Sequence, residues 1–185
     1  MTRHPWFCCL MEIKKKQVEF FCRIRKKVYL CKKIIQEDKT MEKEQVFEII
    51  NRNPVMFLAT VDGAEPRVRG MMLYKADETG IVFHTGPHKD VYHQIMENPH
   101  VQMCFYDAAQ NVQVRVRGVL ERIDERGVKE EIASHPSRKF MQGWKASCAT
   151  IDEFYDMFSV FYLKNGLANV WTFATNFAPK EDIQL

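Results

Sequence analysis

The sequence predicts a mainly β fold, a closed or nearly closed antiparallel barrel with helices packed outside, and three observations lead there. About six apolar or alternating runs of strand length lie between residues 55 and 173. Most are separated by short turn signals, among them Asp62-Gly63 and Asn165-Gly166. The helical periods are few and short. Short turns make antiparallel neighbours, and closing the sheet removes its unpaired edges.

The composition agrees with one folded domain preceded by a different kind of segment. The chain has 185 residues, 46% apolar and 28% charged, enough for a sizeable core. Its net charge of +3 conceals an asymmetry. Residues 1–40 hold eleven Lys and Arg against four Asp and Glu, which leaves residues 41–185 at −4. An acidic folded portion has no general attraction for nucleic acid, so a basic cluster within it points to a small anion. Four of the six cysteines, Cys8, Cys9, Cys22 and Cys31, fall in the basic segment, without disulfide or zinc spacing, and a reducing cytoplasm is expected. Within residues 1–40, Ile24, Val28, Cys31 and Ile35 recur at roughly helical intervals against lysines and arginines. This extension reads either as a basic amphipathic helix or as upstream sequence from a start placed too early. The change of composition at Met41 favours the second. No stable membrane insertion is expected.

The elements follow in order. MEKEQVFEIINRN predicts a helix with Val46, Phe47, Ile49 and Ile50 on one side, Thr40 as its cap and Pro54 as its end. VMFLATV (55–61), the Asp62-Gly63 turn and a second strand from Pro66 to Tyr74 form a hairpin pattern. IVFHT (81–85) predicts a buried strand that delivers the chain into a helix ending at Asn98, before Pro99. Gly86 suits its N-cap and Pro87 its first position, which would set His88 and Lys89 among unpaired backbone N–H groups. VQMCFYD (101–107) and VQVRVRGVLERI (112–123) read as a strand pair, with Cys104 a buried structural thiol. Asp124 to Ser134 is a charged helix, residues 135–144 a loop without regular period, and Ile151 to Phe158 helical. Residues 159–173 read as two strands around Asn165-Gly166, followed by a frayed tail.

A lysine in a helix's first turn opposes the helix dipole, by roughly 0.3–1 kcal/mol, and so suggests an anion such as phosphate held by lysine and amides together. Arg67 and Arg69 on one strand, and Gln113, Arg115 and Arg117 on another, share faces at period two. If both faces flank the helix of Lys89, several cations converge there, with Lys89 and Arg69 solvent-facing when the site is empty. His84, His88 and His93 lack the spacing of a metal site, and no nucleophile elbow or P-loop occurs.

Taken in order, Arg69, the GIVFHT strand, the His88-Lys89 pair, the Gln94-x-x-x-Asn98-Pro99 ending and the Q-V-x-V-x-G of Gln113 to Gly118 resemble the pyridoxamine 5′-phosphate oxidase-like superfamily of FMN-binding split barrels. The resemblance implies a six-stranded antiparallel split β-barrel, Greek-key-like, and a homodimer with FMN in clefts between subunits. It implies that Arg69, Lys89 and His88 bind the FMN phosphate, and that Arg69, Gly70, Met71, Met72 and Tyr74, with His84 and Thr85, line the flavin. Gln113 would reach the ring or ribityl chain, and Trp171 would come from the other subunit. The true oxidases of the family have a lysine at the position of Tyr74, an arginine at that of His88, a turn two residues longer before it, and a C-terminal Arg-Leu-His motif that WTFATNFAPKEDIQL lacks.

The expected activity is therefore that of an FMN-dependent oxidoreductase, flavin- or nitro-reductase-like or pyridoxamine 5′-phosphate oxidase-related, with no catalytic side chain because the flavin carries the chemistry. Its partners would be a small-molecule substrate and a nicotinamide nucleotide. The alternative is a non-catalytic flavin- or haem-binding storage or sensing protein, with deazaflavin a further cofactor choice.

Overall fold

The structure, a computed structural model, describes residues 41–185 and, before them, Arg23. The expectations for residues 1–40 lie outside the described residues. The first helix, α1 (Lys43–Arg52), buries Val46, Phe47, Ile49 and Ile50. It is capped by Glu42, whose N–H donates to Gln45 Oε1 (3.1 Å), and not by Thr40. Two long-range ties fix it: the Asn51 amide clasps the backbone of Ala76 on both its N–H and its C=O, and Arg52 pairs with the buried Asp107 at 2.6 Å.

Strands β1 (Val55–Asp62), β2 (Glu65–Asp77), β3 (Gly80–Thr85), β4 (His100–Asp107), β5 (Val112–Ile123) and β6 (Ser159–Leu163) close into a six-stranded antiparallel barrel in the order β4-β1-β2-β3-β6-β5, with β5 paired back to β4. The strand β4 returns beside β1 after a three-strand meander, which is the Greek key. Between β3 and β4, helix α2 (Asp90–Glu97) packs on β1 and turns Val91, Gln94 and Ile95 inward. Met56, Leu58, Phe83, Met103, Phe105, Val114 and Val116 fill the interior, all fully buried. They obey the alternation that a half-buried strand requires.

Strands β6 and β7 (Leu167–Trp171) do not pair with each other, contrary to the hairpin reading of Asn165-Gly166. Both run antiparallel to the same edge of β5, Leu163 opposite Leu120 and Leu167 opposite Arg117. The left-handed Asn165 (φ 51°) kinks the chain without reversing it. The sheet divides at this kink. β7 carries a short eighth strand, Ile183–Gln184, so part of the tail expected to fray is ordered by pairing.

Residues 135–144, expected as a loop, contain a 3₁₀ turn (Pro136–Arg138) and lead into α4 (Met141–Ser147). With α3 (Arg126–Ser134) and α5 (Ile151–Asp156) they cover the outside of β3 and β6, enclosing a second core of Val82, Ile132, Met141, Phe154, Phe158, Val160 and Tyr162. Among the described residues, no helix is long and apolar enough to cross a membrane.

Gly80 opens β3 at φ 136°, where a Cβ would lie 2.5 Å from both the Leu163 carbonyl oxygen and the Tyr162 ring. Gly80→Ala combines backbone strain with a backbone clash, and should destabilise the domain by about 2–4 kcal/mol. Chemical denaturation checks this, an unchanged midpoint being the contrary result.

Candidate functional site

A groove of about 540 Å³ lies between β2 and the start of α2, lined by Asp62, Arg67, Arg69, Gly70, Met71, Lys89, Asp90 and Gln94 among others. It brings together four of the expected residues, Arg69, Gly70, Met71 and Lys89. Arg69 stands opposite Leu58 in the β1–β2 register, so its side chain points to the inner face and reaches the barrel end beneath α2. There its two terminal nitrogens donate to Thr60 Oγ1 (2.5 Å) and Gln94 Oε1 (2.6 Å), while Thr60 donates to the same Gln94 oxygen at 2.7 Å. Gln94 Nε2 in turn reaches Asp62 at 3.3 Å. Arg69 is therefore half-buried, not solvent-facing as expected, and the acceptors it touches are neutral. Burial, with the neighbouring charge of Arg67, lowers its proton affinity, although a guanidinium stays charged.

Lys89 is exposed, and its ammonium has no hydrogen-bond or ion-pair partner among the described residues. The helix starts later than Gly86-Pro87 suggests. Gly86 to Lys89 close a separate turn, Lys89 N–H to Gly86 C=O at 3.1 Å, and Lys89 itself caps α2 in extended conformation (φ −94°, ψ 145°). The Tyr92 N–H already returns to the Lys89 carbonyl, so the free helical amides beside the groove are those of Asp90 and Val91. His88 is exposed and folds its ring back over Gly86, where an added Cβ would meet it at 2.5 Å. It does not line the groove.

The other expected residues occupy two further places. Tyr74 and His84 lie with Arg138 beneath the helical segment. The Tyr74 hydroxyl donates to Glu131 (2.9 Å), and burial together with that carboxylate pushes its phenol up to about 12. His84 stacks near Phe140 and meets Phe158 edge-on. Thr85 ends β3 with its hydroxyl buried and without a hydrogen-bond partner among the described residues. Gln113 and Trp171 face each other across β5 and β7. Their face is the outer one, since cross-strand partners share a side: Met72 with Val55, Gly70 with Phe57, Phe57 with Cys104, Cys104 with Arg115, and Tyr106 with Gln113. Arg115 and Arg117 thus do not converge with Arg67 and Arg69. They line a separate groove of about 230 Å³ with Gln102, Asn169, Lys180 and Asp182, and Arg117 pairs with Asp182 at 2.6 Å. Cys104, expected buried, is half-exposed on this outer face, because its parity in β4 is that of Tyr106 and not of Phe105.

The sequence of this region matches a known family. The profile described as pyridoxamine 5′-phosphate oxidase matches residues 42–157, well over half of the chain. The chain belongs to this family. Among curated relatives, a pyridoxine/pyridoxamine 5′-phosphate oxidase of Brucella ovis is 35% identical over 88 residues, 47% of this chain and 42% of the relative, so the match spans less than half that protein's length. Among solved structures, a NimC/NimA family protein of Clostridium acetobutylicum is similar at a TM-score of 0.60 with 22% identity, covering 77% of this chain and 92% of the other. A pyridoxamine 5′-phosphate oxidase-related, FMN-binding protein of Nostoc punctiforme is similar at 0.54 with 17% identity, covering 78% and 90%. At these identities the structural likeness establishes the fold, the split barrel of the family.

Sequence reasoning missed Thr60 and Arg138. Thr60 had a legible signal, as the polar residue at a core-facing position of VMFLATV. Arg138 had none, because residues 135–144 show no period from which to assign a buried side.

His84 provides a pH prediction. Burial first, then the positive charges of Arg138 and Lys89, lower its pKa from 6.5 to about 4. Between those values the unfolded chain binds the additional proton, so stability rises with pH through this window. The contribution is fully present above pH 6.5 and lost as pH falls toward 4, and is on the order of 3 kcal/mol. NMR should find the ring neutral at pH 5; titration near 6.5 would contradict the placement.

Proposed function

We propose that the protein is an FMN-dependent oxidoreductase, flavin- or nitro-reductase-like, with its flavin held at the interface of a homodimer. One observation carries the reading: Arg69, hydrogen-bonded to neutral oxygens alone among the described residues, and Lys89, without a hydrogen-bond or ion-pair partner among them, line one groove beside the first-turn amides of Asp90 and Val91. Arg69 is half-buried beside the like charge of Arg67, with the Asp90 carboxylate offsetting part of it, and a phosphate in the groove would satisfy Arg69, Lys89 and the amides together. The groove also contains Asp62 and Asp90: Asp62 is engaged by Arg67 (3.3 Å) and Gln94, and Asp90, in the first turn of α2, acts on Arg69 through its charge without a hydrogen bond to it.

Bound FMN would supply two-electron transfer chemistry. The protein's residues hold and orient it. Arg69 and Lys89 anchor the phosphate, and His88 would have to leave Gly86 to join them. The β2 segment from Gly70 to Tyr74 presents alternating backbone groups for the ring, and the neutral His84 ring, with Thr85, stands at the end of β3 beyond it.

A second copy is needed to complete this arrangement. Val55, Phe57, Val68, Met72 and Tyr106 are 46–65% exposed on one contiguous sheet face, an unusual concentration for a surface that meets water. The same face carries Gln113 and Trp171. Packing two such faces about a two-fold axis would bury the apolar patch and turn the Gln113–Trp171 pair of each copy toward the other copy's β2 segment.

The test is the visible spectrum of the purified full chain, with mass spectrometry of any released ligand and anaerobic addition of a nicotinamide nucleotide. Bound FMN that bleaches supports the oxidoreductase. Bound flavin that no nicotinamide nucleotide reduces makes the protein a non-catalytic holder, a Soret band makes it a haem protein, and a deazaflavin mass replaces the cofactor. Folded protein that takes up none of these overturns the reading.

A further inference from the structure

Arg138 is 2% exposed and has no carboxylate partner among the described residues. It stands on the 3₁₀ turn between α3 and α4. Its Nη2 donates to the Leu73 carbonyl (2.5 Å), its Nη1 to Met72 Sδ (3.5 Å) and Ser137 Oγ (3.3 Å), and its guanidinium carbon lies 5.6 Å from the centre of the Tyr74 ring. Its Nε is buried with no hydrogen-bond partner among the described residues. The contacts it makes outside its own turn therefore fall on Met72, Leu73 and Tyr74, consecutive residues of β2. The β2–β3 register slips at this place, between Leu73 and Lys75.

Burying a guanidinium costs several kcal/mol, and a partner that removes its charge is the usual compensation. None is present. The nearby acid, Glu131, keeps its charge but is held by the Tyr74 hydroxyl, and no ion pair joins it to Arg138 among the described residues. A positive charge without an ion-pair partner among the described residues is thus fixed against the irregular stretch of β2. The hydrogen bond to Leu73 holds the carbonyl of the residue next to the bulge, which β3 pairs through Phe83 before skipping Tyr74.

We infer that Arg138 is a positioning residue of the flavin site: it fixes the Met72–Tyr74 backbone and raises the reduction potential of the flavin lying against it. This rests on the FMN reading above. Reduction of FMN at neutral pH adds two electrons and one proton, so the reduced ring carries one more negative charge than the oxidised ring. A fixed cation nearby favours the reduced state. The same charge bears little on phosphate affinity, which Arg69 and Lys89 supply.

The experiment uses the full chain loaded with FMN and compares wild type with Arg138→Gln, Arg138→Lys and Ser137→Asp. Midpoint potential is read by anaerobic dithionite titration against a reference dye, FMN affinity by fluorescence, and folding by thermal unfolding without FMN. Arg138→Gln should favour the oxidised form by at least tenfold, about 30 mV for a two-electron couple. Arg138→Lys, which keeps the charge and loses the fork, should move the potential less. Ser137→Asp places a carboxylate on an exposed residue already bonded to the guanidinium, and should lower the potential in the same direction. Loaded Arg138→Gln with the wild-type potential overturns the inference. If Arg138→Gln does not fold, an unchanged potential in Ser137→Asp overturns it instead. Failure of the wild-type chain to bind FMN is a different result, which removes the proposed function itself.

Discussion

Lys89→Ala is expected to weaken FMN binding by about 10- to 100-fold, the worth of one or two hydrogen bonds to a charged group, roughly 1.5–3 kcal/mol. The side chain is exposed and unpartnered, so its loss should leave folding stability within about 0.5 kcal/mol of wild type. Arg69→Ala should weaken FMN by at least as much, but it also removes four hydrogen bonds, the two short ones to Thr60 and Gln94 and two long ones to the Leu58 and Arg67 carbonyls. Thr60 and Gln94 keep the bond they make to each other, which limits the stability cost to about 1–2 kcal/mol. Arg69→Lys retains charge without the fork that spans Thr60 and Gln94, and should recover only part of the affinity. Fluorescence titration of FMN, paired with urea denaturation, separates the two effects. A Lys89→Ala protein that binds FMN as wild type does would remove the lysine from the site.

Phe57→Asp has the second large effect. Phe57 is 54% exposed at the centre of the outer face, beside Gly70 on one strand and Cys104 on the other. In a single chain the substitution meets solvent and should cost less than about 1 kcal/mol. Under two-fold symmetry it sets two unpaired carboxylates in one apolar interface, a penalty of several kcal/mol. Sedimentation should show wild type as a dimer and Phe57→Asp as a monomer, with FMN occupancy falling in parallel. A monomeric wild type, or a Phe57→Asp dimer, would contradict the assignment of this face.

The fold was legible wherever hydrophobic alternation was strong. The strands from Val55 to Ile123 and the helices between them follow from parity and turn residues, because each has one face in a single core. Asn165-Gly166 misled for a definable reason: a left-handed asparagine serves a kink as well as a reversal, and only the pairing partner, β5, decides which. That Lys89 and Arg69 line one groove was legible, since both are cations where local rules disfavour them. Its supporting layer was less so. That Arg115 and Arg117 lie on the other side of the sheet is set by the register of β4 against β1 and β5, a long-range property. The start of α2 depended on the Gly86–Lys89 turn closing on itself, which local propensity does not distinguish from a helix beginning at Pro87.

The measurement that bears most directly on the clamp of Arg69 and Lys89 is a comparison of FMN with riboflavin, which differ by the phosphate alone, titrated into the same ligand-free protein. The account predicts FMN binding at least about 100-fold tighter, with the preference collapsing in the Lys89→Ala, Arg69→Ala double variant, as two charge-assisted contacts require. Equal affinity for the two flavins would contradict it.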